Sequence, residues 1–447
     1  MKYKSLKEKT MKKTLSFVLA VLMMLALLTG CGEKKKEAVN INIKLPMLTL
    51  TPLNDEECTD TSYFLLKAFE AFAAQYDKYD VSCDVKVFEQ TEYEKEFRQS
   101  YGTDDAPDLT FGGYFAMSGY IYDGHVIPLD DIITDAMNSD FSESTWEQSK
   151  GYNGKTYLLP FYALQNVMGY NKDLMIQCGL EDYTTDKLEI QSWSMDDWDT
   201  IMSTLREKLP ETKYPMMMYA KNNQGDTHTM VMLRCKGSEF FDKNGMFNLN
   251  TKKGIAGLQW FKDNYDKGYY PKDAPEIEIN DCFEMFQNGQ LVFYIWNTAF
   301  QNIDFGCELG FVNFPSASDK GANSNWISGF MAFDNGDEKK IEVVKDFLSY
   351  IYSSDEWMDY STGGLPCSKS VAARYADQIF LGDALSANDV NAVNFTANNP
   401  NWSGVRAAFW PHIQALLQGK ETAEQAAAGI DRDCNDAINS AGRLLHE

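Results

Sequence analysis

The chain has 447 residues, 44% of them hydrophobic and 13% aromatic, with a formal net charge of -24. That apolar and ring content describes a folded chain and excludes a disordered one, and the length exceeds what one core accommodates, so two domains are expected. The acidic balance argues against nucleic acid and against direct adsorption on anionic lipid, since both select basic surfaces.

Lys2, Lys4, Lys7, Lys9, Lys12 and Lys13 precede residues 15–28, which are apolar apart from Ser16. A spanning helix needs about 20 apolar residues, so the shorter run reads as the apolar region of a signal peptide. Leu28-Thr29-Gly30-Cys31 follows and resembles a bacterial lipobox. That resemblance implies diacylglycerol on the Cys31 thiolate and cleavage before it. Residues 1–30 are then removed, and 31–38 form a polar tether. Residues 1–30 hold six lysines and one glutamate, so the remaining chain carries a net charge near -29. Eight cysteines beyond Cys31 are scattered without a CxxC, which excludes a zinc-ribbon spacing. An even count permits disulfides, but core-facing thiols are the better reading; Cys83 alternates with Val81, Val85 and Val87. Four dispersed histidines give no metal-site spacing.

Val39, Ile41, Ile43 and Leu45 alternate with polar residues and predict a strand. The apolar face of residues 63–76 predicts a helix, and 81–88 a second strand, which together give the strand–helix–strand signal of a sheet with helical crossovers. A helix is expected over 92–101 and a short strand over 106–111. Residues 151–173, GYNGKTYLLPFYALQNVMGYNKD, read as turn, strand, aromatic connector, strand and helix start. This is where the chain is expected to pass from one lobe to a second.

Beyond it, a short helix should end at Gly179, and Ser194 with Asp197 predicts a capping box for a helix through Leu205. Strands are expected at 214–219, 291–296, 311–314 and 327–333, and helices at 252–267, 282–286 and 341–352. Residues 221–229 read as a polar loop. The chain is helical from Val405, with a break at Gly419 and a second capping box at Thr422–Gln425.

In order, the chain carries APDLTF, GHVIPLDD, YNGKTYLLPFY, GYNKDLM, SWSMDDW, KGSEFFDKNGMFNLNT, FQNGQLVFYIW, KDFLSYIYSSDEW with GGLPCSKS, and AFWPHIQALLQGKETAEQA. In this order the chain resembles the family 1 extracellular solute-binding proteins of bacterial ABC importers, the maltose-binding-like sugar binders. The resemblance covers essentially the whole chain after Cys31. It implies an α/β fold of two lobes, each a mixed sheet flanked by helices, joined by a multi-strand hinge. It also implies a carbohydrate ligand between the lobes, delivery to permease subunits, membrane attachment through the lipid alone, and no chemistry. No cofactor and no nucleic acid are called for, and a monomer is expected. The lobes are expected at 39–150 plus 305–345 and at 151–304 plus 346–447.

A pyranose has an apolar face that stacks on rings and a rim of hydroxyls that takes hydrogen bonds, so its site needs Trp or Tyr beside Asn, Gln, Asp or Arg. Trp410 matches the position where maltose-type binders place a ring against the sugar; a core-facing helix Trp is the alternative. Trp296 and Asn297 close an apolar strand whose end is expected at the cleft, with Phe300 a lesser candidate. Gly112, Gly113, Tyr114 and Phe115 occupy the loop that carries charged sugar ligands in maltose-type members. Those charges are absent here, which leaves Tyr114. Tyr162 and Gln165 either reach the ligand or brace the hinge. Asn222, Gln224 and Asp226 lie on the expected polar loop, where plain solvation is the competing reading, and Trp326 precedes a strand entry. Gly154-Lys155-Thr156 ends like a phosphate loop, but Ser149 stands where its first glycine belongs. A secreted glycosidase and a peptide binder of the same fold remain the competing classes.

Overall fold

The computed structural model describes residues 36–442 except 152, 222–224, 397, 398 and 400. Residues 1–30, expected to be a signal peptide, and Cys31, Asn222 and Gln224 therefore lie outside the described residues. Ten strands form one connected array: β1 (Ala38–Pro46), β2 (Asp80–Phe88), β3 (Leu109–Gly113), β4 (Leu159–Asn171), β5 (Ile190–Gln191), β6 (Tyr214–Met216), β7 (Leu291–Trp296), β8 (Leu309–Val312), β9 (Ser324–Ala332) and β10 (Leu365–Pro366). β1 runs parallel to β2 and β3, and β9 is antiparallel to β3.

The joint of the molecule is β4. Its first part, through Asn166, pairs with β9, and its second part, Val167–Asn171, pairs with β7 and β8. The expected strand, connector and strand are thus one continuous strand. The register shifts between Pro160 and Tyr162, where proline cannot donate to the ladder and an irregularity is tolerated.

One core packs Ile41, Ile43 and Leu45 of β1 against Phe64, Phe69 and Phe72 of helix Thr61–Gln75 and against helix Glu338–Tyr352. Phe69 and Phe347 meet edge-on at 5.0 Å. The lobe boundary expected at 345/346 falls within this helix, whose Val343, Val344, Phe347, Leu348 and Ile351 all enter that one core. Trp357, Tyr360 and Val371 join it too. Likewise β8 pairs with the second part of β4, so 309–312 goes with the second half. The chain passes between halves along β4, between β8 and β9, and between helices Lys369–Arg374 and Gly382–Asn388. The second core holds Trp198, Phe293, Phe409 and Ile413 and continues to Tyr114, Met117 and Tyr120 of the first half.

Local signals explain the element ends. Ser194 and Asp197 make the reciprocal capping box of helix Met195–Lys208, and Thr422 and Gln425 exchange the same pair of bonds. The eight described cysteines are free thiols, five of them buried. No helix among the described residues is long and apolar enough to cross a membrane.

Candidate functional site

The segment after β6 is not a solvated loop. It winds into one π-helical turn, Asp226–Met230, a rare geometry that recurs at functional sites. Asp226 is buried, 3% exposed. Trp410 Nε1 donates to its Oδ1 at 3.0 Å, Trp402 Nε1 donates to Oδ2 at 3.3 Å, and Arg406 Nε lies 2.5 Å from Oδ2. All three come from helix Trp402–Leu417, which Asn401 caps by accepting from Gly404 N. Their spacing of four places them on one stripe of that helix. Burial pushes the Asp226 carboxyl up to about 6, with Arg406 and the two indole N–H groups pulling the other way.

Gly225 lets the Trp410 ring approach. A Cβ there would stand 2.5 Å from Trp410 Cη2 and 3.1 Å from His228 Cε1. His228 is buried and held against Tyr219, whose hydroxyl lies 3.4 Å from Nδ1. Burial pushes the imidazole down to about 3, so it is neutral. Among the described residues, His228 Nε2 and Thr229 Oγ1 have no hydrogen-bond partner.

The first half reaches this cluster through Tyr114, the first residue of helix Tyr114–Asp123. Its buried ring meets Phe395 edge-on at 6.0 Å, and Phe395 meets Trp402 at the same distance. Helix Tyr114–Asp123 packs on helix Trp402–Leu417, and the π turn packs along β9. Half-buried Trp326 sits on β9 opposite Leu164 and meets Phe115 edge-on at 4.8 Å. Gly113 leaves room for it, since a Cβ there would be 2.8 Å from Trp326 Nε1.

Trp410, Asp226, Tyr114 and Trp326 are therefore lodged where the halves meet, and five other candidates are placed differently. Trp296 is a core residue. It still lies inside β7, and its ring packs edge-on against Phe311 and Phe380. Asn297 caps the turn Thr298–Phe300 through its Oδ1 and donates to Asn166 Oδ1 at 2.9 Å. Phe300 joins the Phe283, Tyr294 and Phe305 rings. Tyr162 packs on Phe111 in the first core, and burial pushes its phenol up to about 12. Gln165 is a brace: strand alternation turns it away from the Leu164–Trp326 face. There it donates to Leu385 O at 3.1 Å and accepts from Asn388 Nδ2 at 3.0 Å. Sequence reasoning missed Trp402, Arg406 and His228. The four-residue spacing of Trp402, Arg406 and Trp410 was the available signal.

Known proteins resemble the chain as follows. A family model described as bacterial extracellular solute-binding protein matches residues 65–356. The arabinooligosaccharide-binding protein of Bacillus subtilis is 22% identical over 356 residues, 77% of each chain. The diacetylchitobiose binding protein DasA of Streptomyces coelicolor is 21% identical over 445 residues, 96% of this chain and 99% of DasA. The crystal structure of a cyclic alpha-maltosyl-1,6-maltose binding protein from Arthrobacter globiformis superposes with a TM-score of 0.70 at 20% identity, covering 90% of this chain and all of that one. It shares the two-lobed α/β fold.

Proposed function

The chain belongs to the bacterial extracellular solute-binding protein family, and on that premise we propose that it captures a carbohydrate between its lobes. It then delivers the sugar to the permease subunits of an ABC importer, and a lipid on Cys31 holds it at the outer face of the membrane. The observation that carries this reading is the buried Asp226 cluster: rings of Trp402 and Trp410 on one lobe, Tyr114 across from them on the other, and hydrogen-bonding groups between. Such a mixture suits a ligand with apolar faces and a hydroxyl rim. The relatives named for arabinooligosaccharide and diacetylchitobiose point to the same ligand class. Because Tyr114 and Trp410 sit on different lobes, a ligand touching both favours the closed arrangement.

The protein performs no chemistry on the sugar. Glycoside hydrolysis takes two carboxyl groups flanking a bond, whereas the oxygens of Asp226 are engaged by Trp402, Arg406 and Trp410. Thermal melts against mono- and oligosaccharides test the reading. A true ligand raises the melting temperature saturably and is recovered intact. Cleavage of the sugar, or a shift given by peptides and by no sugar, overturns it. Trp410→Ala loses the shift while remaining folded, and Cys31→Ala releases the protein to the medium.

A further inference from the structure

One arginine ties the π turn that carries Asp226 to the rings behind Trp410. Arg234 stands in the short 3-10 turn Leu233–Lys236, just past the π turn. Its Nη1 donates to Met230 O, the last carbonyl of the π turn. Its guanidinium carbon lies 4.4 Å from the centre of the Phe240 ring and 5.8 Å from that of Phe241. Burial pushes the guanidinium down to about 9, and among the described residues no carboxylate stands beside it to pull the other way. It is therefore charged at pH 7, and the charge faces a carbonyl dipole and two rings instead of a counter-ion.

Phe240 needs the support. It is buried, and its φ of +74° lies in the left-handed region that a residue with a Cβ avoids. Such a backbone persists only where its surroundings over-determine it. The Phe240 N–H donates to Ser238 Oγ at 3.1 Å, its carbonyl accepts from Asn248 N at 3.0 Å, and Arg234 covers its ring. Held there, the ring meets Phe409 at 6.1 Å, and Phe409 backs Trp410 edge-on at 5.5 Å.

The same side chain thus supports both partners of the Trp410–Asp226 hydrogen bond. It closes the end of the turn that carries Asp226, and it steadies the row of rings behind Trp410. The turn needs closing because π bonding is rare, and relaxation to α-helical bonding would rotate Asp226 against Arg234 by about 100°, one residue's step. We propose that Arg234 is a positioning residue of the carbohydrate site: it touches no ligand and holds Asp226 and Trp410 in register. Its role toward a sugar rests on the sugar-binding reading; the placement of Trp410 does not.

Near-UV circular dichroism reads that placement without sugar. The difference between the wild type and Trp410→Phe isolates the Trp410 band. Arg234→Met keeps the stem and removes the donor and the charge. The same difference taken in that background should be weaker, and the sugar Kd should rise about ten-fold. Arg234→Lys keeps a cation that can reach Met230 O and should fall between the two in both readings. Arg206→Met is the control. Arg206 donates to the carbonyls of Leu209, Pro210, Lys213 and Gly268 in the same half, so its loss should lower the melting temperature and leave the Trp410 band and the Kd as they are. An undiminished band or an unchanged Kd in Arg234→Met, or equal losses in Arg206→Met, overturns the proposal. Where Arg234→Met does not fold, Arg234→Lys decides by the same two readings. A weakened band in a protein that binds no sugar upholds the placement and overturns the carbohydrate reading instead.

Discussion

Arg406→Met tests whether Asp226 is a buried carboxylate held by one counter-ion. The carboxylate is 4% exposed and the Arg406 side chain 18%. Removing one partner of a buried pair costs about 3–5 kcal/mol, because the remaining charge is left uncompensated. The partial exposure of Arg406 favours the lower end, so about 3 kcal/mol is expected at pH 7. Methionine keeps the stem volume, which separates charge from packing. The loss should shrink at pH 5, where the Asp226 carboxyl, already raised to about 6 by burial, takes up a proton. Asp226→Asn combined with Arg406→Met removes both charges and should return to within about 1 kcal/mol of the wild type. Urea unfolding at the two pH values, with unchanged m, reads these quantities. A loss below about 1 kcal/mol at pH 7, an equal loss at pH 5, or a double variant as unstable as Arg406→Met would refute the reasoning.

The same site makes opposing pH contributions. Asp226 titrates at about 6 against an ordinary 3.8, so its stabilisation is present below 3.8 and is lost as pH rises through 6. His228 titrates at about 3 against an ordinary 6.5, so its stabilisation is present above 6.5 and is lost as pH falls through 3. His228→Gln should therefore be more stable at pH 4 than at pH 7, relative to the wild type; a parallel pH profile in urea would contradict this. Gly225→Ala places a Cβ 2.5 Å from Trp410 and should weaken the sugar about ten-fold, some 1.4 kcal/mol; unchanged affinity would remove Trp410 from the ligand wall. Trp296→Ala should cost about 3–5 kcal/mol of stability as a large-to-small core change and leave the Kd nearly unaltered, which titration calorimetry on the folded variant checks. Gln165→Leu removes the donor to Leu385 O and leaves Asn388 Nδ2 only its bond to Asn313 Oδ1; it should cost about 2 kcal/mol, again with little change in Kd.

Much of the fold was legible. The alternation in β1, the apolar run of β7, the Ser194–Asp197 capping box and the break at Gly419, which adopts φ +70°, are local signals, and local signals survive transfer from sequence to structure. The proline of β4 suggests an interruption where the strand only shifts register. The amphipathic pattern of helix Glu338–Tyr352 shows which face is buried and not against which sheet, so sequence alone does not say which core its residues enter.

The site divided along the same line. The ordered motifs carried the family resemblance, and ring-bearing segments near Trp410 and Tyr114 could be nominated. Only the tertiary structure decided that Asp226, on a stretch polar enough to read as a loop, is the buried centre, since its burial depends on donors 176 to 184 residues away. Alternation along β4 told that Gln165 and Leu164 face opposite ways, but which face meets the cleft depended on what packs behind Gln165. Trp296 and Trp410 are chemically the same residue at the ends of apolar segments. One fills a core between Phe311 and Phe380 and the other reaches a carboxylate, and that difference exists only in the packing.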